Sequence, residues 1–286
     1  MNMLLKMILV LVAASTSTYA DFVTIGGTDV AADSATSYGS VNYTYQISRY
    51  EVTGMEFGAA VAADPNVGTY GSDGANTPVF YVSWYEAVKY CNWLTSGNAY
   101  LGAYTHGGGT FAGIDRAGAI STYGTVYVLP TEDEWYKAAY WRDDPVDQWS
   151  LYANGTDTTP TWGTTSGWNY YNGEDYAYGG DAWGVGYGVQ EQNGTYDMMG
   201  NVSEWTESVY DASRRVLRGG SFADSSLGVS SLTQGRGNPS DELYRNVGVR
   251  VVAVPEPSTV LLFGIGGAGA FLLRRNKRKN NELTHE

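Results

Sequence analysis

The sequence predicts an α+β fold: a single, irregular, loop-rich domain with short strands, a few helices and long turns. Apolar and polar residues alternate near the start of the chain, as they do in half-buried strands. Three segments begin with the Ser/Thr-x-x-Glu signature of a capped helix. Glycine (37) and tyrosine (24) are abundant while only 16% of residues are charged, which favours structured turns and excludes a disordered chain.

The strands are predicted from alternation and from β-branched residues. Residues 43–52, "YTYQISRYEV", alternate over most of their length. Residues 216–222, "VLRGGSF", and residues 246–254, "NVGVRVVAV", are typical of strands that close a domain.

Three helix starts carry a capping box, in which a Ser or Thr side chain and a Glu three residues later bond each other's backbone amides. The three pairs are Thr53 with Glu56, Ser83 with Glu86, and Thr131 with Glu134. The helix after Ser83 places Cys91 on its apolar face, so we expect a buried and inert thiol. One cysteine and two histidines exclude an internal disulfide and an ordinary zinc site.

Residues 149–192 are dominated by Gly, Tyr, Asn, Asp and Thr, which predicts long structured loops. No Pro/Ser-rich linker or repeat divides residues 21–254. We therefore predict one domain over residues 21–254.

The N-terminus has the pattern of a secretory signal peptide. Lys6 precedes the apolar run "MILVLVAA", and small residues lead to Ala20. This pattern predicts export and cleavage after Ala20, so residues 1–20 are assigned to the signal peptide.

Residues 255–286 form a second targeting segment. A Pro-Glu-Pro break at residues 255–257 precedes an uncharged run at 258–273 and a basic tail, "RRNKRK". The run would make a helix of roughly 24 Å, marginal against a hydrocarbon core of about 30 Å. If the run spans a membrane, its basic end is predicted to lie on the cytoplasmic side. A plain single-span membrane anchor is one interpretation of this segment. The segment also resembles the PEP-CTERM sorting signal of Gram-negative bacteria, which implies recognition by an exosortase, transient membrane anchoring, and delivery to the cell surface, outer membrane or extracellular matrix.

The charge of the chain limits its partners. The net charge is −13, and the part between the two targeting segments is more negative still, because Lys6 and the basic tail lie outside it. Such a domain repels nucleic acid and anionic lipid, and it is compatible with Ca²⁺ binding.

The stretch "YDMMGNVSEW", residues 196–205, places two carboxylates on either side of a Gly-Asn turn. Asp197 and Glu204 could both reach a cation held by that turn, since Ca²⁺ accepts carboxylate and carbonyl oxygens readily. The alternative is a turn in which Glu204 caps backbone amides.

Six motifs in order resemble the formylglycine-generating enzyme (sulfatase-modifying factor) family, from about residue 23 to residue 254. They are "YQISRYEVT", "PVFYVSWYEAVKYCNWL", "VYVLPTEDEWYKAAYW", "YDMMGNVSEW", "RVLRGGSF" and "NVGVRV". The resemblance implies a compact α+β domain with little regular structure, related to the C-type lectin fold. It also implies oxidation of a sulfatase cysteine to formylglycine, with O₂ and a copper ion held by two cysteines.

The two copper-binding cysteines that the resemblance implies are missing. Residues 223–237 contain no cysteine, and Asp224 and Val229 stand roughly at the two positions. Copper(I) needs soft sulfur ligands, which carboxylate and valine do not supply. We therefore expect no copper and no oxidase activity of the family's kind.

Two calcium sites are also implied by the resemblance. The first comprises Asp197, the carbonyls of Gly200 and Val202, and Glu204. The second, in a loop whose spacing departs from the family's, comprises Asn169, the carbonyl of Tyr170, Asp181 and the carbonyl of Trp183.

Two functions remain compatible with the sequence. One is a surface or matrix module that keeps the scaffold without its oxidase chemistry and binds an exopolysaccharide or another surface ligand. The other is an oxidoreductase-type enzyme of the same family acting on a protein or a small molecule. The second function would require a new set of metal ligands, and His106 is the one histidine in the predicted domain.

Overall fold

The computed structural model describes residues 21–28, 30–144, 146–163, 166–241 and 244–254, and in them it contains four α-helices and ten short strands. The helices are α1 (Gly54–Ala63), α2 (Trp84–Ser96), α3 (Arg116–Tyr123) and α4 (Glu132–Tyr140). The strands are β1 (Phe22–Ile25), β2 (Tyr45–Ser48), β3 (Tyr104–Gly107), β4 (Thr110–Ile114), β5 (Val126–Val128), β6 (Ser203–Asp211), β7 (Arg214–Arg218), β8 (Gly235–Gly237), β9 (Val247–Gly248) and β10 (Val252–Val254). The predicted α+β class, rich in irregular structure, is confirmed.

The first four-stranded sheet joins the two ends of the domain. Its order is β1-β2-β10-β5, and all its pairs are antiparallel. Ile47 on β2 lies opposite Val23 on one side and Val252 on the other. The last strand is therefore inserted between β2 and β5, and the sheet is complete only when both ends of the domain are in place.

The second four-stranded sheet carries the candidate site. Its order is β8-β7-β6-β9, with β6 and β9 parallel. On β6, Glu204 lies opposite Arg218 of β7 and Gly248 of β9. Strands β3 and β4 form a separate hairpin.

All three predicted strands are shorter than their sequence patterns, and of residues 43–52 only Tyr45–Ser48 form a strand, β2. Residues 246–254 are divided into β9 and β10, because the two halves pair in different sheets. The crossing residues Val249, Arg250 and Val251 are buried between the sheets. Strand β7 ends at Arg218, where Gly219 and Gly220 adopt positive φ angles of 93° and 65° that glycine tolerates best.

All three predicted capping boxes are confirmed. In the box of α2, the Ser83 hydroxyl accepts the amide of Glu86 at 3.2 Å, and the Glu86 carboxylate accepts the amide of Ser83 at 2.9 Å. Helix α3 was not predicted; its cap is Asp115, whose carboxylate accepts the amide of Gly118 at 2.8 Å.

The core lies between the helices and the sheets and is rich in tryptophan. Cys91 is fully buried in it, together with Trp84, Trp135 and Trp205. Burial raises the pKa of the Cys91 thiol well above its usual value, which favours the unreactive protonated form. The prediction of a core cysteine is confirmed.

The long connection between α4 and β6 has the loop structure that its composition predicts. In its described residues it contains isolated bridges, such as Trp162 with Trp168 and Tyr171 with Tyr176, and no helix or longer strand. This connection contains Asp197 and the residues of the second predicted calcium set.

The two predicted targeting segments, residues 1–20 and 255–286, lie outside the described residues, and so does the apolar helix predicted at 258–273. Among the described residues, none of the helices combines the length and the apolarity that a membrane span requires.

Candidate functional site

The turn before β6 depends on an unusual backbone. Asp197, Gly200 and Asn201 adopt positive φ angles of 60°, 83° and 56°. A Cβ atom at Gly200 would lie 2.1 Å from the carbonyl oxygen of Asn169, so no other residue fits there without moving the neighbouring loop. The absence of a side chain at Gly200 thus lets the turn pack closely against the loop that contains the second predicted calcium set.

Asp197 is buried and its two carboxylate oxygens already accept hydrogen bonds. Trp183 Nε1 donates to Oδ1 at 2.9 Å, and the amide of Gly186 donates to Oδ2 at 2.7 Å. Burial raises the pKa of Asp197, although these two hydrogen bonds oppose the shift. The side chain ties the 183–186 loop to the turn.

Glu204 is buried and paired with an arginine. Arg250 Nε lies 2.9 Å from both carboxylate oxygens, Arg250 Nη2 lies 2.7 Å from Oε1, and Trp135 Nε1 donates to Oε2 at 2.6 Å. Burial opposes the charge of Arg250, but the Glu204 carboxylate outweighs it, so the pKa of Arg250 is raised. The alternative in which Glu204 caps backbone amides is wrong, because its hydrogen-bond donors among the described residues are the side chains of Arg250 and Trp135, from other parts of the chain.

Two carboxylates that the sequence analysis missed hold the backbone of the turn. Glu51 accepts the amide of Val202 at 3.1 Å and the side-chain amide of Asn201 at 2.7 Å. Glu191 accepts the amides of Met198 and Met199, each at 3.1 Å. Glu51 lies 151 residues before Val202, and only the "YEVT" motif around it could have pointed to it; Glu191 lies just seven residues before Met198, in a loop without a motif.

Burial raises the pKa of both acids. For Glu191, burial raises the pKa to about 8; the positive charge of Arg250 opposes this shift, and the negative charge of Asp197 adds a smaller contribution in the raising direction. For Glu51 the pKa is raised well above its usual value by burial and then by the charges of Asp197 and Glu204. Four acids thus share the surroundings of one buried arginine.

The second predicted calcium set contains an oxygen without a partner. Asn169 is buried, and its Nδ2 donates to the carbonyl of Asp181 and to Asn201 Oδ1, each at 3.0 Å. Asn169 Oδ1 is also buried, yet it has no hydrogen-bond partner within the described residues. A buried amide oxygen normally has a partner, because leaving it without one costs about 1–3 kcal/mol.

The rest of this second set lies close by. Trp183 donates its amide to the same Asn201 Oδ1 at 2.9 Å. The half-exposed Asp181 carboxylate lies 3.0 Å from Arg245, which also contacts Asp73. No contact in the described residues places the carbonyl of Tyr170 with these groups. An amide oxygen, a carboxylate and carbonyls are the hard ligands that Ca²⁺ takes, so the residues present fit the ion that the family implies.

Within the described part of the chain, no group of three or more His, Cys, Asp or Glu side chains is placed to hold a metal. Neither predicted calcium set contains three such side chains, so both stay predictions. The carboxylates of both sets already have protein partners, Asp197 and Glu204 in the first and Asp181 in the second, but Asn169 in the second set retains a buried oxygen without a partner in the described residues.

In the segment where the family would hold copper, the two corresponding residues have structural contacts. The Asp224 carboxylate accepts the amide and the hydroxyl of Ser221 at 2.9 and 2.7 Å, which closes a turn. Val229 is fully buried and belongs to the main core cluster. One position thus holds a turn and the other fills the core.

Comparison with known proteins agrees with this architecture. Residues 10–254 match the family described as "Sulfatase-modifying factor enzyme 1-like domain", and residues 253–278 match the PEP-CTERM protein-sorting motif. The latter motif indicates export and sorting to the surface of a Gram-negative cell, with recognition by an exosortase.

Two similar proteins of known name share just under a third of their residues with this chain over the matched region. The chain is 29% identical over 188 residues to inactive C-alpha-formylglycine-generating enzyme 2 of Bos taurus, a match that covers 60% of this chain and 49% of that protein. It is 28% identical over 193 residues to chaperone protein LppX of Paenibacillus barcinonensis, which covers 60% of this chain and 66% of that protein. The chain therefore spans about half to two thirds of the length of these relatives.

Solved structures share the fold. CarF superposes with a TM-score of 0.61 at 23% identity and covers 83% of this chain and 99% of its own. Treponema denticola variable protein 1 superposes with a TM-score of 0.53 at 22% identity, covering 82% and 95%. With the family match spanning nearly the whole described domain, the chain belongs to the sulfatase-modifying factor (formylglycine-generating enzyme-like) family and carries a C-terminal PEP-CTERM sorting motif.

Proposed function

We propose that this protein is an exported binding module of the cell surface or extracellular matrix, in which the family scaffold is kept without its copper-dependent oxidation. The sorting motif supports export, and one of the similar proteins is itself named as an inactive family member. The ligand we propose is an exopolysaccharide or another component of the surface layer.

The replacement of both copper-binding positions carries the proposal. The Asp224 carboxylate accepts hydrogen bonds from Ser221, and Val229 lies in the core, so neither position offers a thiolate to a metal. Cys91 is buried in α2 with a raised thiol pKa and lies in a different part of the chain. Within the described residues, the chain thus has no pair of thiols that could hold copper(I).

The buried polar groups serve the architecture instead. Glu51, Glu191, Asp197 and Glu204 all hold the turn or the adjoining loop through hydrogen bonds, and Arg218 is likewise paired in the interior with Glu132. Such a network supports long loops with little regular structure. A scaffold of this kind suits recognition through loops, which rigid elements hold in position.

Calcium is proposed as a structural ion of this scaffold. Asn169 Oδ1, with no partner in the described residues, supports the second set, in which Asp181 would add a carboxylate. Exosortase is the proposed partner during sorting, when the C-terminal segment would anchor the chain transiently.

The proposal is tested in two assays. Purified residues 21–254, supplied with copper, O₂ and a sulfatase-type cysteine peptide, should leave the mass of the peptide unchanged, while an active formylglycine-generating enzyme serves as the positive control. The same protein should co-sediment with matrix polysaccharide prepared from the host. Formylglycine in the first assay would support the oxidoreductase alternative, and a lack of retention in the second would contradict the binding module.

A further inference from the structure

A cleft of about 360 Å³ opens beside the start of α1, away from the segment that would hold copper. Its lining includes Tyr50, Glu51, Met55, Asn76 and Val185. The volume falls in the range of small-molecule sites, roughly 300–1,000 Å³. None of the residues discussed for copper or for the second calcium set lines it.

The walls of this cleft are held in place by contacts between distant loops. The amide of Val185 donates to the carbonyl of Asn76 at 2.9 Å, which joins two of the walls. The Tyr50 ring lies 5.3 Å from that of Tyr196, and a Cβ atom at Gly186 would lie 2.4 Å from Tyr50. Gly186 has a φ of 70°, so the close approach depends on glycine. The cleft is therefore a formed feature of the fold.

The lining combines an aromatic ring with polar groups that are free to bind. The Tyr50 hydroxyl and the exposed Asn76 side-chain amide make no hydrogen bond within the described residues. Met55 is 63% exposed and adds apolar surface at the rim. Glu51 also lines the cleft, but both of its carboxyl oxygens already accept hydrogen bonds from Asn201 and Val202, so it shapes the wall.

The charge of the lining restricts the ligand. Asp21, Glu51 and Glu56 line the cleft, and no Lys or Arg does so among the described residues. With a net charge of −13 on the chain, an anionic ligand is repelled. A purely apolar ligand would leave the polar lining without partners, which costs free energy. Each of these three carboxylates already has a partner in the protein, so the lining offers no free carboxylate to an ammonium. Asp21 pairs with Arg49 at 2.6 Å, Glu51 accepts from Asn201 and Val202, and Glu56 accepts the amide of Thr53 at 2.9 Å.

We propose that this cleft binds a neutral sugar unit of a surface polysaccharide. The apolar face of a sugar ring would pack on Tyr50, and its hydroxyls would bond the Tyr50 hydroxyl and the Asn76 amide. A tyrosine is suited to this task because it has an apolar body and a polar end. The inference rests on the proposed binding function and adds the place and the class of ligand.

The experiment measures binding of residues 21–254 to three sets of probes: neutral gluco-, manno- and galacto-oligosaccharides, polygalacturonate, and chitosan oligomers. We expect a neutral oligosaccharide to bind. Asn76→Ala and Tyr50→Phe, which each remove one hydrogen-bonding group and leave the packing intact, should weaken binding about threefold to tenfold. Tyr50→Ala should weaken it more than about tenfold, because the stacking surface is lost as well.

The control is Tyr178→Ala, which removes a ring that is 52% exposed and does not line the cleft. It should bind as the wild type does, and thermal melting checks that each variant is folded. Binding of polygalacturonate or chitosan alone, or no binding of any neutral probe, would overturn the proposed ligand class. If wild type, Asn76→Ala and Tyr50→Phe retain the host polysaccharide equally, the cleft is not the binding site, although the protein still functions as a binding module. If the wild type does not retain that polysaccharide, the proposed function itself fails.

Discussion

Arg250 and Glu204 form a fully buried ion pair that joins the crossing between β9 and β10 to the start of β6. Arg250 also donates to the carbonyls of Ser48 and Tyr196 at 2.8 and 2.7 Å. One side chain thus connects the first sheet, the second sheet and the turn before β6. The position explains why a charged residue interrupts an otherwise apolar closing segment.

Removing one partner of this pair should destabilise the domain strongly. In Arg250→Met, the Glu204 carboxylate stays buried without its counter-ion, which typically costs about 3–5 kcal/mol. The double variant Arg250→Met with Glu204→Gln should lose less than the sum of the two single losses. The free energies of unfolding of the two single variants and the double variant are measured by urea unfolding, monitored by tryptophan fluorescence.

The matched control is Arg214→Met, which breaks an exposed pair with Asp211 at the end of a hairpin. An exposed pair is screened by solvent, so the unfolding midpoint should hardly change. Equal destabilisation by Arg214→Met and Arg250→Met would contradict the central role of the buried pair.

Calcium should stabilise the domain through Asn169. An ion that binds only the folded state raises the free energy of unfolding by about 0.4–1.4 kcal/mol at one to ten times Kd. Extracellular modules bind in the range of about 10⁻⁴ to 10⁻³ M, so the melting temperature should be compared in millimolar Ca²⁺ and in chelator. Asn169→Ala should remove the difference between the two conditions.

The same measurement separates the two predicted sets. Asp181→Asn should reduce the calcium-dependent difference if the second set binds, and Asp197→Asn should do so if the first set binds. Asp224→Asn belongs to neither set and should leave the difference intact. A melting temperature that is identical with and without calcium in the wild type would dismiss both sites.

The stability of the domain should fall as the pH rises from about 5 to about 8. Burial raises the pKa of Glu191 from 4.5 to about 8. Between these values the folded state holds a proton that the unfolded state has released, so the stability that this group contributes is complete at low pH and is lost as the pH rises through about 8.

Glu191→Gln cannot titrate and should flatten this dependence. Glu51, whose pKa is also raised by burial, would leave a residual slope. The free energy of unfolding at a series of pH values, measured for both proteins in urea, checks the prediction. Identical slopes for wild type and Glu191→Gln would show that this carboxyl does not bind the proton.

The mature protein should lack both targeting segments. In the native host, the intact mass of protein recovered from the cell surface should correspond to a chain that begins at Asp21 and ends near Pro257. A species that retains "RRNKRK" would indicate a single-span anchor, the alternative that the apolar run also allows. Substituting the Pro-Glu-Pro motif should leave an anchored, unprocessed chain.

Local signals predicted the local structure well. The three capping boxes mark α1, α2 and α4 because each cap involves residues only three positions apart. Composition predicted the irregular connection between α4 and β6, since glycine and tyrosine-rich segments have neither a helical nor a strand period. Helix α3 was missed because its cap, Asp115, has no glutamate three residues later to complete the signature.

Sequence by itself determined the family, the C-terminal sorting motif and the absence of cysteine from residues 223–237, because each of these depends on which residues follow one another along the chain. The tertiary structure alone decided what the acids do. Asp197 and Glu204 sit seven residues apart in one motif, yet the partners that occupy their oxygens, Trp183 and Arg250, come from other parts of the chain. Likewise, the unpartnered oxygen of Asn169 and the cleft beside Tyr50 exist only where distant loops meet. Burial, hydrogen-bond satisfaction and pKa depend on three-dimensional neighbours, which the order of residues does not reveal.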